Sequence, residues 1–274
     1  MADVVVITGG GSGMGLAAAK LLPGEKIVVL SGRTLSRLEN AVKVLEEAGI
    51  TACACPCDTS RRESVRSLAE YAASLGTVRN VINAAGMSPH MADGEKLIRV
   101  NALGTVYVNQ ELSQIMERGS VILDVSSNSA YTLPGFLVKL ASRSYPLAET
   151  DEDMFLKKLL RLSALARTDY DKAGFAYALS KNFVCWYAKK CAFEYGPRGI
   201  RVCSLSPGLI ATDMGKLEEK EGSFLLKRTA EGRMGTPQEL GYAIAAAADE
   251  RNGYLCGVDI LVDGGSINGK SFKK

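Results

Sequence analysis

Ten tyrosines are spread along the chain, and Tyr177 alone has a lysine four residues on, Lys181. On a helix those two side chains share a face, one turn apart. The pairing matters because a free phenol, with a pKa of about 10, is a poor base at neutral pH. A neighbouring ammonium stabilises the phenolate and brings that value down. Tyr177 and Lys181 can therefore take a proton from a hydroxyl group or give one to a carbonyl oxygen. That is the acid/base half of a hydride transfer between an alcohol and a carbonyl, which also needs a hydride carrier.

A place for the carrier is signalled near the other end of the chain. The apolar run Val4–Ile7 feeds directly into TGGGSGMG, Thr8 to Gly15. Gly9, Gly13 and Gly15 permit a tight strand-to-helix turn, so that backbone N–H groups and a helix N-terminus can approach a pyrophosphate. Ser12 and Met14, in the same turn, belong to this set. The spacing is G-x3-G-x-G, which differs from the G-x-G-x-x-G of other dinucleotide folds. At the end of the second strand a carboxylate would accept from the 2′-hydroxyl of the adenosine ribose. This chain has Gly32 there, followed by Arg33. Loss of the carboxylate and gain of a guanidinium suit a 2′-phosphate, so the expected cofactor is NADP(H) rather than NAD(H).

These groups must be positioned by regular elements. Apolar runs at Val4–Ile7, Ile27–Leu30, Thr51–Cys57, Val81–Asn83, Val121–Val125, Arg201–Ser204 and Asp259–Val262 read as strands. Between them, helices are expected at about Met14–Leu22, Ser36–Ala48, Arg62–Leu75, Lys96–Glu117, Tyr177–Tyr195 and Pro237–Ala248. Short apolar strands alternating with amphipathic helices specify an α/β, doubly wound parallel sheet, a Rossmann fold. Ligands of such folds bind beyond the carboxyl ends of the strands, where most of the unusual residues fall. No linker divides the chain, and one domain over 1–274 is expected.

In this order and context the motifs resemble those of the short-chain dehydrogenase/reductase family, across nearly the whole chain. They are the glycine turn, Asp58, Asn83-Ala84-Ala85-Gly86, Asn101, Ser126-Ser127, Tyr177-x-x-x-Lys181, Pro207-Gly208 with Thr212, and Asp263-Gly264-Gly265. The resemblance implies an enzyme acting on CH–OH groups, with Tyr177 as acid/base and Ser127 orienting the substrate oxygen. Lys181 would also bind the nicotinamide ribose, and Asn101 would position a water linking Lys181 to solvent. It implies that Asp58 and Thr59 flank the adenine and that Asn83, Ala84, Ala85 and Gly86 support the ribose. Ile210 and Thr212 would hold the carboxamide, with Pro207 and Gly208 in the same segment. The neighbouring Ser126 and Ser129 leave the choice of serine open, and the second of the pair matches the family pattern. A sugar-nucleotide epimerase uses the same Tyr–Lys pair but usually carries a larger C-terminal substrate domain. A cofactor-sensing protein without turnover is disfavoured by the full set of Tyr177, Lys181, Ser127 and Asn101.

The chain departs from the family in one place. Ser127 and Tyr177 lie 50 positions apart, where most members have a short loop. The extra segment is about Gly135 to Ala173. Thr150 with Asp153 reads as a helix cap, and Phe155, Leu156, Leu159, Leu162 and Ala166 follow at helical spacing. A similar insertion occurs in the subgroup of bacterial 3α-hydroxysteroid dehydrogenase/carbonyl reductase. That likeness implies a bulky apolar carbonyl or secondary alcohol, such as a steroid or bile acid, with a small-ketone or sugar/polyol reductase as the alternative. The insertion is expected to cover part of the substrate cleft and to obstruct the face of the Tyr177 helix. A homodimer, or homotetramer, would then rely on Pro237–Val262. Met214–Arg233 reads as a lid over the cleft.

Bulk properties set the remaining bounds. A net charge of +3 from scattered residues over 274 positions leaves no nucleic-acid footprint. Seven cysteines, an odd number without a signal peptide, fit reduced thiols in a cytoplasm. Cys53, Cys55 and Cys57 alternate on a strand and read as apolar packing, so no metal is expected. No apolar stretch is long enough to cross a bilayer. The single histidine, His90, reads as an incidental loop residue.

Overall fold

Runs such as Val4–Ile7 have no polar face to show to water, so each strand must be covered on both sides. The computed structural model, which describes residues 2–22, 25–212 and 226–271, satisfies that demand with a seven-stranded parallel sheet. Its strands are β1 (Asp3–Thr8), β2 (Ile27–Gly32), β3 (Ala52–Pro56), β4 (Thr77–Asn83), β5 (Met116–Val125), β6 (Arg201–Pro207) and β7 (Asp259–Val262). They lie in the order β3-β2-β1-β4-β5-β6-β7. The order reverses between β1 and β4, and a crevice opens beyond the carboxyl ends of those two strands.

Alternate residues of each strand feed two cores. Val4, Val6, Val81, Ile122 and Val202 face one, and Val5, Ile7, Ile82, Leu123 and Leu205 face the other. The second core is covered by α1 (Gly13–Ala19), α2 (Leu35–Glu46) and, near the C-terminus, α10 (Pro237–Ala247). The first is covered by α3 (Arg62–Leu75), α5 (Gly104–Ser113) and α9 (Asp169–Tyr195). Leu240, Gly241, Ile244 and Ala247 of α10 are buried in their own chain. A β-carbon on Gly241 would stand 2.8 Å from the Ala17 carbonyl carbon, so the small residues of this helix serve first to seat α1.

Three expectations about elements need correction. The helix expected over Lys96–Glu117 is interrupted: α4 (Gly94–Ile98) passes into a π-helical turn, Arg99–Leu103, before α5, and Met116 and Glu117 already belong to β5. Such a widened turn re-aims a side chain, and it frequently marks a functional site. Here it carries Asn101. α9 starts eight residues before Tyr177, because Thr168 and Asp171 form a reciprocal capping box ahead of it. In the insertion the cap is Asp151, whose carboxylate accepts from the Met154 N–H at 2.9 Å; Thr150 ends the preceding turn.

The segment expected to be an insertion folds as α6 (Gly135–Ser142), α7 (Leu147–Thr150) and α8 (Glu152–Ser163). Phe155 and Leu159 are fully buried within the first core. The Phe155 and Tyr145 rings stand 5.0 Å and 5.2 Å from that of Phe183 on α9. Polar ties reinforce the contact. Glu149 accepts from the Tyr187 hydroxyl and the Lys190 ammonium, both at 2.8 Å, and Glu152 accepts from the Tyr107 hydroxyl at 2.5 Å. The segment thus occupies outer surface of α5 and α9 as an integral part of the fold. Phe155→Ala is accordingly expected to cost about 3–5 kcal/mol of folding free energy, read as a lower denaturation midpoint in urea.

All seven cysteines are free thiols. Cys53, Cys55 and Cys57 lie against the first core, and burial, with the other two thiols, pushes Cys55 up to about 11. Among the described residues no three His, Cys, Asp or Glu side chains converge on a metal position. No described helix is long and apolar enough to cross a membrane.

Candidate active site

The crevice at the strand-order reversal is a cleft of about 430 Å³. Thirteen of the residues singled out from the sequence line it: Gly9, Ser12, Gly13, Met14, Gly15, Gly32, Arg33, Asp58, Thr59, Ala84, Ala85, Gly86 and Thr212. The glycine turn forms its floor. Gly9 and Gly13 adopt φ of 67° and 56°, left-handed values that a side chain disfavours. A β-carbon on Gly9 would lie 2.7 Å from the Ala84 carbonyl oxygen, and one on Gly15 equally close to the Gly9 oxygen. The turn is therefore bare backbone at the N-terminus of α1, which suits a pyrophosphate. Thr212 approaches from the opposite wall, with its Cγ2 3.5 Å from where a Gly13 β-carbon would stand.

Two cations hold the β2 end. Arg33 was legible from the sequence; Arg37, which also lines the cleft, was missed. The signal was the spacing, since Arg37 follows Arg33 by four residues across the start of α2. Gly32 leaves the space between them and the floor without a carboxylate. Asp58 faces the same region. Burial works to raise its carboxyl, but the hydroxyl and N–H of Ser60, with the charges of Arg33 and Lys96, hold it below the ordinary carboxylate range.

At the far end the side chains expected to do chemistry come together. Lys181 is buried, and its Nζ donates to the Val125 carbonyl at 2.9 Å and stands 6.0 Å from the centre of the Tyr177 ring. A β-carbon on Gly86 would be 3.3 Å from Asn101 Oδ1 and 3.4 Å from Lys181 Nζ. Asn101 uses its amide on both sides of Met87, accepting from its N–H at 2.9 Å and donating to its carbonyl at 3.0 Å. It also donates to Ser180 Oγ at 3.3 Å, which in turn donates to the Tyr177 carbonyl at 2.7 Å. The π-helical turn makes this reach possible.

The two serines after β5 separate clearly. Ser126 donates its hydroxyl to the Lys181 carbonyl at 2.7 Å and so ties β5 to α9. Ser127 caps the short helical turn Asn128–Tyr131, accepting from the Ser129 N–H at 3.2 Å. That turn is pinned by Asn182, which donates to the Ala130 carbonyl at 3.0 Å and accepts from Tyr145 of the insertion at 2.8 Å.

Asn83, Pro207, Gly208 and Ile210, also expected at the cofactor, are placed elsewhere. The Asn83 side chain points into the sheet, donating to Asp124 at 2.9 Å and accepting from Thr8 at 2.8 Å. Gly208 and Ile210 line a separate hollow with Thr229 and Asp263, and Pro207, the last residue of β6, is buried. A β-carbon on Gly208 would meet the Asp263 Cα at 2.7 Å, so this glycine lets the chain pass close to the end of β7. Most of the supposed lid, Met214–Arg233, lies outside the described residues. His90 is exposed beside the cleft residue Met91, with its Nε2 3.1 Å from the Tyr170 hydroxyl.

Comparison with known proteins decides the family. The short chain dehydrogenase family model matches residues 3–143, more than half of the chain, and the enoyl-(acyl carrier protein) reductase model matches residues 137–266. The chain belongs to the short-chain dehydrogenase/reductase family. It is thus an oxidoreductase acting on CH–OH groups, in a family that uses nicotinamide cofactors. Cyclohexanol dehydrogenase from Acinetobacter sp. (strain SE19) is 27% identical, over 95% of this chain and 93% of its own. The 7alpha-hydroxysteroid dehydrogenase of Escherichia coli is 25% identical, over 96% and 93%. A short chain dehydrogenase from Burkholderia cenocepacia, solved in complex with NADP, shares the fold with a TM-score of 0.76, at 21% identity over 96% of each chain.

Proposed function

We propose that this family member moves a hydride between NADP(H) and a bulky apolar ketone or secondary alcohol, in the manner of a hydroxysteroid dehydrogenase. The observation that carries the reading is the meeting of Tyr177, Lys181, Asn101 and Gly86 at one end of a cleft whose other end holds Arg33 and Arg37. The residues fit the cofactor. The bare glycine turn offers N–H groups to a pyrophosphate, the two guanidiniums suit a 2′-phosphate, and no carboxylate at Gly32 opposes it. When bound, the nicotinamide gives or receives the hydride.

The rest of the mechanism belongs to the chain's own side chains. Tyr177 holds the proton that passes to or from the substrate oxygen, and Ser127 orients that oxygen through its hydroxyl. Lys181 stabilises the phenolate with its ammonium and, fixed by Val125, also faces the ribose. Asn101 fixes Met87 and Ser180, and with them the spacing between the cleft wall and α9.

The substrate end is apolar. Met87, Leu97, Val100 and Ala173 form a small cluster that Ala92 and Tyr177 join. Ala173 is the last residue of the inserted region, and Leu160 of α8 reaches within 3.4 Å of where a Gly94 β-carbon would be. The insertion therefore backs the wall beside Tyr177, which supports a bulky apolar substrate and a place in the 3α-hydroxysteroid dehydrogenase/carbonyl reductase subgroup. The hydroxysteroid dehydrogenase relative favours the same class. The cyclohexanol dehydrogenase relative favours a small cyclic ketone instead.

Cofactor and substrate sites share one sheet and its covering helices, which supports a single domain. With α5 and α9 partly covered by the insertion, a two-fold dimer would form through α10 and β7, where Tyr242 and Val258 are exposed. Free thiols throughout fit a reducing cytoplasm. The test is a panel of steroid, bile-acid and small cyclic ketones with NADPH and with NADH, followed by loss of reduced-nicotinamide absorbance. The highest kcat/KM is expected for a polycyclic ketone with NADPH. A preference for cyclohexanone-sized substrates would move the assignment to the small-ketone class.

A further inference from the structure

Behind the candidate site lies a carboxylate that the hydride-transfer reading does not use. Asp124, near the end of β5, is fully buried. Its Oδ1 accepts from Asn83 Nδ2 at 2.9 Å and its Oδ2 from Asn109 Nδ2 at 2.8 Å. Two amides thus turn their donors toward it, the arrangement that favours an ionised carboxylate. The chain of contacts continues to the reacting end. Asn83 Nδ2 also donates to Thr105 Oγ1 at 3.3 Å, and Thr105 donates to the Asn101 carbonyl at 2.8 Å. From Asn101 the contacts pass through Ser180 to the Tyr177 carbonyl. By a second route, Asp124 adjoins Val125, the residue whose carbonyl receives Lys181 Nζ.

We propose that Asp124 is a positioning residue of the hydride-transfer site: through the contacts that run from it by Asn83 and Thr105 to Asn101, and by Val125 to Lys181, its carboxylate sets the pH range over which Tyr177 exchanges its proton. This rests on the reading of Tyr177 and Lys181 given above. Burial pushes the Asp124 carboxyl up to about 6, against the pull of the Asn109 and Asn83 amides and the Lys181 ammonium. The influence is mutual, so an ionised Asp124 favours the ammonium and opposes formation of a phenolate beside it. Four other titratable groups lie near this end of α9. Burial pushes the Cys185 thiol up to about 11 and the Cys191 thiol up to about 12, and both stay neutral. The Asp259 carboxylate is engaged by Ser204, Ser206 and Tyr131, and that of Asp263 by Ser266, Gly265 and Ile267.

The sign of the stability effect separates this role from a structural one. A carboxyl whose folded pKa is raised favours folding below its unfolded value, and that contribution is lost as pH rises through the folded pKa. At pH 8 that contribution is gone, so replacing the carboxylate by a neutral amide is not expected to cost stability. Asp124→Asn is also sterically easy. Its oxygen can accept from Asn83, and its amide can donate to Asn109 once that side chain turns over, since Asn109 Oδ1 has no partner now.

The measurement is the pH dependence of kcat/KM for oxidation of a secondary alcohol with NADP+, in the native enzyme, Asp124→Asn and Asn109→Ala. In Asp124→Asn the apparent pKa of the base should fall by about 0.5–1 unit, with an unfolding temperature at pH 8 equal to or above that of the native enzyme. Asn109→Ala, which weakens the anion without removing it, should shift the profile the same way by less. If Asp124→Asn fails to fold, the smaller shift in Asn109→Ala carries the test. A native pH profile in folded Asp124→Asn, or in Asn109→Ala if that is the variant that folds, overturns the proposal. Failure of the underlying reading shows separately, as Tyr177→Phe that still turns over.

Discussion

Tyr177→Phe is expected to lower kcat by about 100- to 10,000-fold, the range that general acid/base help supplies, while cofactor affinity stays nearly unchanged. The substitution removes one oxygen from a side chain whose ring joins the apolar cluster of Met87, Leu97, Val100 and Ala173. Packing is preserved, so a loss of rate cannot be assigned to misfolding. The proton is what disappears. Lys181 remains fixed to the Val125 carbonyl but has no phenol to act upon. Stopped-flow rates with saturating NADPH and a cyclic ketone, beside fluorescence titration of NADPH, separate the two effects. Retained turnover would show that another group handles the proton.

Removing the two guanidiniums should change cofactor choice. Arg33→Ala is expected to raise KM for NADP(H) by about 10- to 100-fold, since hydrogen bonds to charged groups contribute about 1.5–3 kcal/mol. Adding Arg37→Ala should raise it further, because both side chains line the same part of the cleft. KM for NAD(H) should change much less, as the 2′-hydroxyl offers neither cation a phosphate. Some of the effect passes through Asp58, whose carboxyl is lowered in part by Arg33. With that charge gone, Asp58 would oppose a phosphate more strongly. Equal losses for NADP(H) and NAD(H) would show that the arginines hold only the turn, not the 2′ position.

The fold was legible because its strands are short apolar runs and its turns are marked by glycine. Helix Arg62–Leu75 and strand Asp259–Val262 match the sequence reading to the residue. What escaped was local. Nothing in the composition of Lys96–Glu117 announces that the helix widens at Arg99–Leu103, nor that Gly104 just after it comes close to Thr59, a residue of a distant segment. The early start of α9 has its signal in the Thr168–Asp171 capping box, well ahead of Tyr177.

The candidate site divides in the same way. The backbone cradle was readable, since glycine at a strand-to-helix junction has few other uses. Arg37 falls in the first turn of α2, and only the structure shows that it lines the cleft with Arg33. The direction of the Asn83 side chain was not readable, because it depends on Asp124 and Thr8 across the sheet. The insertion was seen as a cover for the cleft. Its anchoring through Phe155, Tyr145 and Glu149 to α9 could be known only once Phe183, Tyr187 and Lys190 were seen facing it.

The proposed reaction is direct hydride passage between a reduced nicotinamide and a carbonyl carbon, with Tyr177 supplying the proton. It is tested most directly by supplying NADPH deuterated at C4 on both faces, with a cyclic ketone that the enzyme reduces. The native enzyme should give an alcohol that carries the deuterium at its carbinol carbon, and Tyr177→Phe no alcohol above background. An unlabelled alcohol from the native enzyme, or equal labelled product from Tyr177→Phe, would contradict it.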